Sequence, residues 1–123
     1  MQFTLMVFET ARGFAARTDP HERDAYWRGT FAFLHELRAS GAFRGGAGLE
    51  PPALARHLEA PGPAAPAREG PVAEGPWQLG GYFIVEAADT EAALAIARRF
   101  PARAGTAIEV RPNLPQDGAG VAR

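Results

Sequence analysis

Two glutamates that could move protons stand in one stretch, residues 69–86, around which the rest of the chain is organised and which reads Glu-Gly-Pro-Val-Ala-Glu-Gly-Pro-Trp-Gln-Leu-Gly-Gly-Tyr-Phe-Ile-Val-Glu. Glu69 and Glu74 each precede a Gly-Pro turn ahead of a strongly apolar strand. A carboxylate whose pKa is raised in such a setting can act as a general acid or base; the plainer alternative is a solvated loop charge or a turn-capping acceptor. Trp77 is placed either to lid an apolar pocket or to pack against a neighbouring subunit. Of the three histidines, His57 falls in a weak hairpin near the Glu69 loop and is the one best able to reach it. His21 stands in the first turn of a predicted helix with Asp24 three residues on, a spacing at which both can meet one ligand; the alternative is an exposed histidine at a helix start. His35 lies on a polar helix face. Two ligands do not make a metal site, since structural zinc takes four, so neither metal nor cofactor is expected. Glu109 and Arg111 share a strand face. They form either an ion pair bridging strands or subunits, or one wall of a cleft in which Arg111 grips a substrate carboxylate.

What the chain lacks narrows the chemistry. All 13 basic residues are Arg, so there is no lysine for a Schiff base or a Walker-type phosphate contact. The only serine, Ser40, sits at a predicted helix end, which disfavours a serine nucleophile. There is no cysteine, which removes thiolate chemistry and disulfides and fits a cytoplasmic protein. A formal net charge of -1 offers no basic face, so nucleic acid is not an expected partner. No apolar run approaches membrane-spanning length and the N-terminus has no signal-peptide architecture, so no membrane association is expected.

The elements that must position these groups follow from periodicity. Residues 2–8 set Phe3, Leu5 and Val7 against Gln2, Thr4, Met6 and Phe8, a strand buried on at least one side. Residues 9–18 lose the pattern and read as a loop. Asp19-Pro20-His21-Glu22 predicts a helix start, followed by an apolar stripe of Trp27, Thr30, Phe31, Phe33, Leu34 and Leu37 and a left-handed cap at Gly41. The glycines at 45, 46 and 48 read as a turn, with weak strands at 48–50 and 53–58 and a mobile Pro/Ala hairpin tip at 60–67. Residues 79–87 are the strongest strand. Asp89 caps a second helix that Pro101 ends, and 106–112 is a last strand with Ile108 and Val110 on the face opposite Glu109 and Arg111.

At 123 residues this is one domain, drawn over 1–112 with a flexible tail at 113–123. Strand, helix, weak hairpin, strand, helix, strand gives an α+β sandwich, most simply ferredoxin-like with an inserted hairpin. Its helices cover one sheet face. Tyr82, Ile84 and the phenylalanines of the first strand are too apolar to leave the other face in water, so a two-fold partner, a homodimer, is expected.

In this setting the stretch from Glu69-Gly-Pro-Val-Ala-Glu74 through Gln78-Leu-Gly-Gly-Tyr-Phe-Ile-Val85 resembles the Asp-Gly-Pro-Phe-Ala-Glu and Gln-Leu-Gly-Gly-Tyr motif of the YCII-related proteins, DGPF branch. Asp89-Thr-Glu-Ala-Ala-Leu and Ile108-Glu-Val-Arg-Pro112 resemble that family's next helix and closing strand. The resemblance implies a ferredoxin-like fold dimerising as a dimeric α/β barrel. A related branch acts on chlorinated aromatic intermediates with a His and an Asp as acid–base pair, and some members are fused to sigma-factor-like domains. Here the motif Asp is Glu69, the motif Phe is Val72, and Gly75-Pro76-Trp77 replaces Thr-Lys-Glu, so no role of that Lys carries over. Two functions follow. One is acid–base, lyase-like catalysis on a small aromatic or carboxylated metabolite with Glu69 and a histidine as proton carriers. The other is a non-catalytic, small-ligand-binding or regulatory dimer.

Overall fold

The computed structural model describes residues 1–115 of the chain. Strand β1 (Gln2–Glu9) is central because every second side chain can be buried: Phe3, Leu5, Val7 and Glu9 are buried, while Gln2, Thr4, Met6 and Phe8 are half-buried. Two antiparallel strands flank it, β5 (Gln78–Glu86) and β6 (Thr106–Pro112). Strand β2 (Phe43–Gly48) pairs with β5, so the sheet order is β2-β5-β1-β6. Helix α2 (Arg23–Ser40) links β1 to β2 and α3 (Thr90–Ala97) links β5 to β6. A two-residue ladder of β3 (Arg56–His57) and β4 (Arg68–Glu69) is inserted between the halves. This is the expected α+β sandwich, consistent with a ferredoxin-like arrangement.

The core lies between the sheet and its helices. Phe3, Leu5, Val7 and Val85 meet Phe33 and Leu37 of α2, Ala93 of α3, and Phe100. Phe33 contacts Phe83 and Phe100 edge-on, each at 5.1 Å between centroids. Burying each large side chain contributes roughly 1.5–3 kcal/mol. Ile108 and Val110 pack on this side, as their alternation with Glu109 and Arg111 predicts. By the same period of two, Thr4, Met6, Phe8, Tyr82, Ile84, Glu109 and Arg111 lie on the opposite sheet face.

Four elements differ from expectation. Within the stretch read as a loop lies a short helix, α1 (Ala11–Ala16). Six residues show no usable period, and docking holds the helix instead. Phe14 is buried, the Thr10 N–H donates to the Gly105 carbonyl at 2.9 Å, and a Cβ on Gly13 would come within 2.6 Å of that carbonyl. Helix α2 begins at Arg23, not at Asp19-Pro20. Asp19 caps a turn instead, its carboxylate accepting the His21 N–H at 2.9 Å and its carbonyl accepting from Glu22 and Arg23. His21 therefore lies outside the helix rather than in its first turn. The glycines read as a turn are the edge strand β2, which takes the place of the strand expected at 48–50. Gly46 runs so close to β5 that a Cβ would strike the Tyr82 carbonyl, so the pairing itself demands glycine. The weak strand at 53–58 contracts to β3, preceded by a single 3₁₀ turn, Pro52–Leu54.

The caps follow the sequence elsewhere. Gly41 ends α2 at φ 78°, and the Asp89 carboxylate accepts the Ala92 N–H at 2.8 Å at the start of α3. Asn113 still belongs to the sheet, its N–H donating to the Gln2 carbonyl at 2.8 Å and its side chain accepting from Thr4. Beyond residue 115 the expected tail lies outside the described residues.

Candidate functional site

Strand β1 ends on a carboxylate that the fold encloses. Glu9 is 1 % exposed, on the same face as Phe3, Leu5 and Val7. Such a charge needs partners, and two residues supply them. Arg17, just past α1, reaches Glu9 Oε1 with Nη2 at 2.6 Å. The Tyr26 hydroxyl of α2 donates to the Glu9 carboxylate, lying 2.9 and 2.8 Å from its two oxygens. Arg17 also donates from Nε to the Tyr26 hydroxyl at 2.9 Å and to the carbonyls of Leu49 and Gly80. The register shift between β1 and β5 accommodates Gly80 as an extra residue. A Cβ there would lie 2.5 Å from Glu9 Oε1 and 3.0 Å from Arg17 Nη2, so the close approach of the ion pair requires glycine.

The electrostatics follow from this wiring. Burial, and then the Glu9 carboxylate, push the Tyr26 phenol above its usual range, so it stays protonated and serves as a donor. Burial alone would lower Arg17, but its bonds to Glu9 and Tyr26 outweigh that and hold it above its usual value. Arg103, ahead of β6, stacks 3.8 Å over the Tyr26 ring and donates to the Tyr26 carbonyl at 2.9 Å and the Thr30 hydroxyl at 3.1 Å. Among the described residues it has no carboxylate partner, its buried Nε has no hydrogen-bond partner, and burial lowers its pKa.

Above this cluster, between α2 and the β2–β5 edge, lies a cavity of about 190 Å³. Trp27, Phe31 and Leu34 form one wall, Gly46, Ala47 and Gly48 the other, and Tyr26, Arg17 and Arg103 line it as well. The apolar stripe predicted for α2 explains the cavity. Only Phe33 and Leu37 of the predicted stripe are buried, joined by Tyr26, while Phe31 remains 60 % exposed and stacks on Trp27 at 5.9 Å. The helix is apolar over a wider arc than its sheet contact needs, and the glycines opposite leave no side chains to fill the gap. A cavity of ~150 Å³ accepts one benzene, so this one has room for a single substituted ring.

The residues singled out in the sequence fall in four separate places. Glu69 and His57 belong to the two-residue ladder, where Arg56 pairs with Glu69 and His57 with Arg68. Neighbouring strand positions point to opposite faces, so Glu69 and His57 face away from each other. Glu69 is exposed, and the His57 Nδ1 lies 2.8 Å from the Gly70 carbonyl. Glu74 lines a shallow depression with Pro52, Pro71 and Gln78. Trp77, 48 % exposed, does meet Glu109 in a hollow of about 470 Å³ shared with Phe8 and Ala107 on the sheet face away from the helices. Arg111 is drawn onto Glu109, Nε to Oε2 at 2.5 Å, as an exposed ion pair. His21 lines a third hollow of about 300 Å³ beside Arg12, Glu22 and Arg103. None of these cavities joins Glu69 to a histidine. Among the described residues no group of three or more His, Cys, Asp or Glu could hold a metal ion.

Sequence reasoning passed over Glu9, Arg17, Tyr26 and Arg103. Glu9 carried a usable signal, because it continues the Phe3, Leu5, Val7 alternation onto the buried face. The two arginines carried none, since each comes from an irregular segment next to a short element.

The fold and cavity define a small antiparallel α+β protein with one helix-covered sheet face and a ring-sized cavity under its longest helix. The chain belongs to the YCII-related domain family, whose match spans residues 1–115. No curated protein matches the sequence. No helix among the described residues is long and apolar enough to cross a membrane.

Proposed function

We propose that this protein is a non-catalytic small-ligand-binding module, acting in the cytoplasm as a homodimer, and that its ligand is a small ring compound seated between α2 and strand β2. The observation that carries this reading is the cavity itself: an aromatic wall on a helix, a side-chain-free wall of glycines, and a rigid polar floor. Pockets with mostly apolar walls and a few convergent polar groups are the usual form of small-molecule sites. Acid–base catalysis by Glu69 with His57 or His21 draws its support from the family resemblance, whereas these three side chains occupy separate surfaces here.

A thermal-shift panel of single-ring compounds tests the ligand reading. Hits are expected to raise the melting temperature of the wild type and to lose that effect in Phe31→Ala, while Glu69→Gln leaves it unchanged. Turnover of a hit that Glu69→Gln abolishes would establish the acid–base reading instead.

The homodimer accounts for the second sheet face. Met6, Phe8, Tyr82 and Ile84 lie there without a helix, and Trp77 borders them at 48 % exposure. A two-fold copy stacked on this face would cover them and give a dimeric α/β barrel. Light scattering is expected to return about twice the 13.1 kDa chain mass, and Ile84→Asp to return the single mass. A monomer at all concentrations would refute the dimer.

A further inference from the structure

We infer that Arg103 makes the cavity selective for an anion, so that its occupant is a ring bearing one carboxylate or similar oxyanion. The inference rests on the ligand-binding reading above and adds the sign of the ligand's charge and the residue that reads it.

The charges that line this cavity do not balance. Three arginines, Arg17, Arg38 and Arg103, line the cavity, and no Asp or Glu does. Arg17 is neutralised from behind by Glu9 at 2.6 Å, and its donors are committed to Glu9, Tyr26, Leu49 and Gly80. Arg38 stands at the exposed rim, its guanidinium 5.1 Å from the centre of the Phe43 ring. Arg103 is different. It is held rigidly by the Tyr26 carbonyl, the Thr30 hydroxyl and the Tyr26 ring, yet no carboxylate of the described chain balances it. Since Tyr26 is neutral, the cluster of Glu9, Arg17 and Arg103 carries one uncompensated positive charge.

A partly desolvated cation without a counter-charge is costly to fold around, and an anion entering the cavity removes that cost. Arginine has five N–H donors. Two of those on Arg103 are engaged, by Tyr26 and Thr30, which leaves three, one on each nitrogen, for charge-assisted bonds to an oxyanion. The ring of such a ligand would lie against Trp27 and Phe31. A neutral ring would gain the apolar contact alone.

Benzoate, benzamide and benzyl alcohol are matched probes, read through the Trp27 indole N–H signal, which is identified by its persistence in Trp77→Phe. At neutral pH benzoate is expected to bind about tenfold more tightly than either neutral analogue, the increment of a hydrogen bond to a charged group. Arg103→Gln is expected to bring benzoate down to the benzamide level without weakening benzamide. Equal binding of all three rings would overturn the inference and leave the ligand-binding reading intact. A benzoate preference that survives Arg103→Gln would also overturn it. If no ring shifts the Trp27 signal, the cavity reading fails and the inference with it. Should Arg103→Gln not fold, the wild-type ratio of benzoate to benzamide still decides the charge.

Discussion

Glu9 and Glu69 make a matched pair: each is a glutamate at the end of a strand with an arginine nearby. Glu9 closes an eight-residue strand in the middle of the sheet, is 1 % exposed, and is bonded to Arg17 and Tyr26. Glu69 closes a two-residue strand, is exposed, and its carboxylate has no hydrogen-bond or ion-pair partner among the described residues. The sequence around Glu69 looks richer in chemistry, with its Gly-Pro turns and neighbouring glutamate. Yet a carboxylate becomes part of a built site only where surrounding elements converge on it. At Glu9 α1, α2, β5 and the segment before β6 all do. At Glu69 only β3 does.

The largest effect is expected at Glu9. Glu9→Gln keeps the shape but leaves Arg17 enclosed without its counter-charge. Breaking one side of a buried pair typically costs ~3–5 kcal/mol, so a large fall in the urea midpoint is expected; a loss under ~1 kcal/mol would refute the anchoring role given to Glu9. Next in size, Gly80→Ala pushes a methyl group toward Glu9 Oε1 and Arg17 Nη2. Overpacking of this kind costs about 1–3 kcal/mol, and the double variant with Glu9→Gln should show coupling, since both changes act on one contact.

Tyr26→Phe tests the Glu9 cluster through pH. It removes the hydroxyl bonds to Glu9 and from Arg17, which costs about 1–2 kcal/mol at neutral pH. In the folded wild type the phenol titrates above its usual 10.0, because burial and then Glu9 disfavour the phenolate. The folded state therefore keeps a proton that the unfolded chain releases from about pH 10 upward. The Tyr26 contribution is fully present below that pH and is lost as pH rises toward the folded value. Urea titrations at neutral pH and above pH 10 should show wild type losing stability across this window and Tyr26→Phe losing less. The smallest effect belongs to Glu69→Gln, where a surface change is expected to alter stability by less than about 0.5 kcal/mol. A larger effect would show that the hairpin is tied to the body of the protein more tightly than its two-residue ladder indicates.

The strong periodic elements were legible. Residues 2–8, the 79–87 strand and the 106–112 strand stand where alternation placed them, and Gly41 and Asp89 cap the helices as their chemistry predicts. Legibility failed where an element owes its existence to a distant neighbour. Helix α1 exists because Gly13 can touch Gly105, and β2 because Gly46 can pass against Tyr82. Neither contact has a local signature. The stripe on α2 is apolar as its spacing predicts, and because its width exceeds what one sheet face covers, Phe31 stays 60 % exposed.

The candidate site divides in the same way. The family motif, the order of the main elements along the chain and the buried side of β1, β5 and β6 were legible in the sequence, because these follow from periods of two and 3.6 and from turn chemistry within short windows. Glu9 continues that alternation onto the inner face, one residue beyond the expected strand. Arg17 and Arg103, 86 residues apart in the chain, flank the same tyrosine, and one of them lacks a counter-charge, only because of how the chain folds. Charge balance in an enclosed space depends on which groups the fold brings within a few ångströms, and spacing along the chain does not encode that distance.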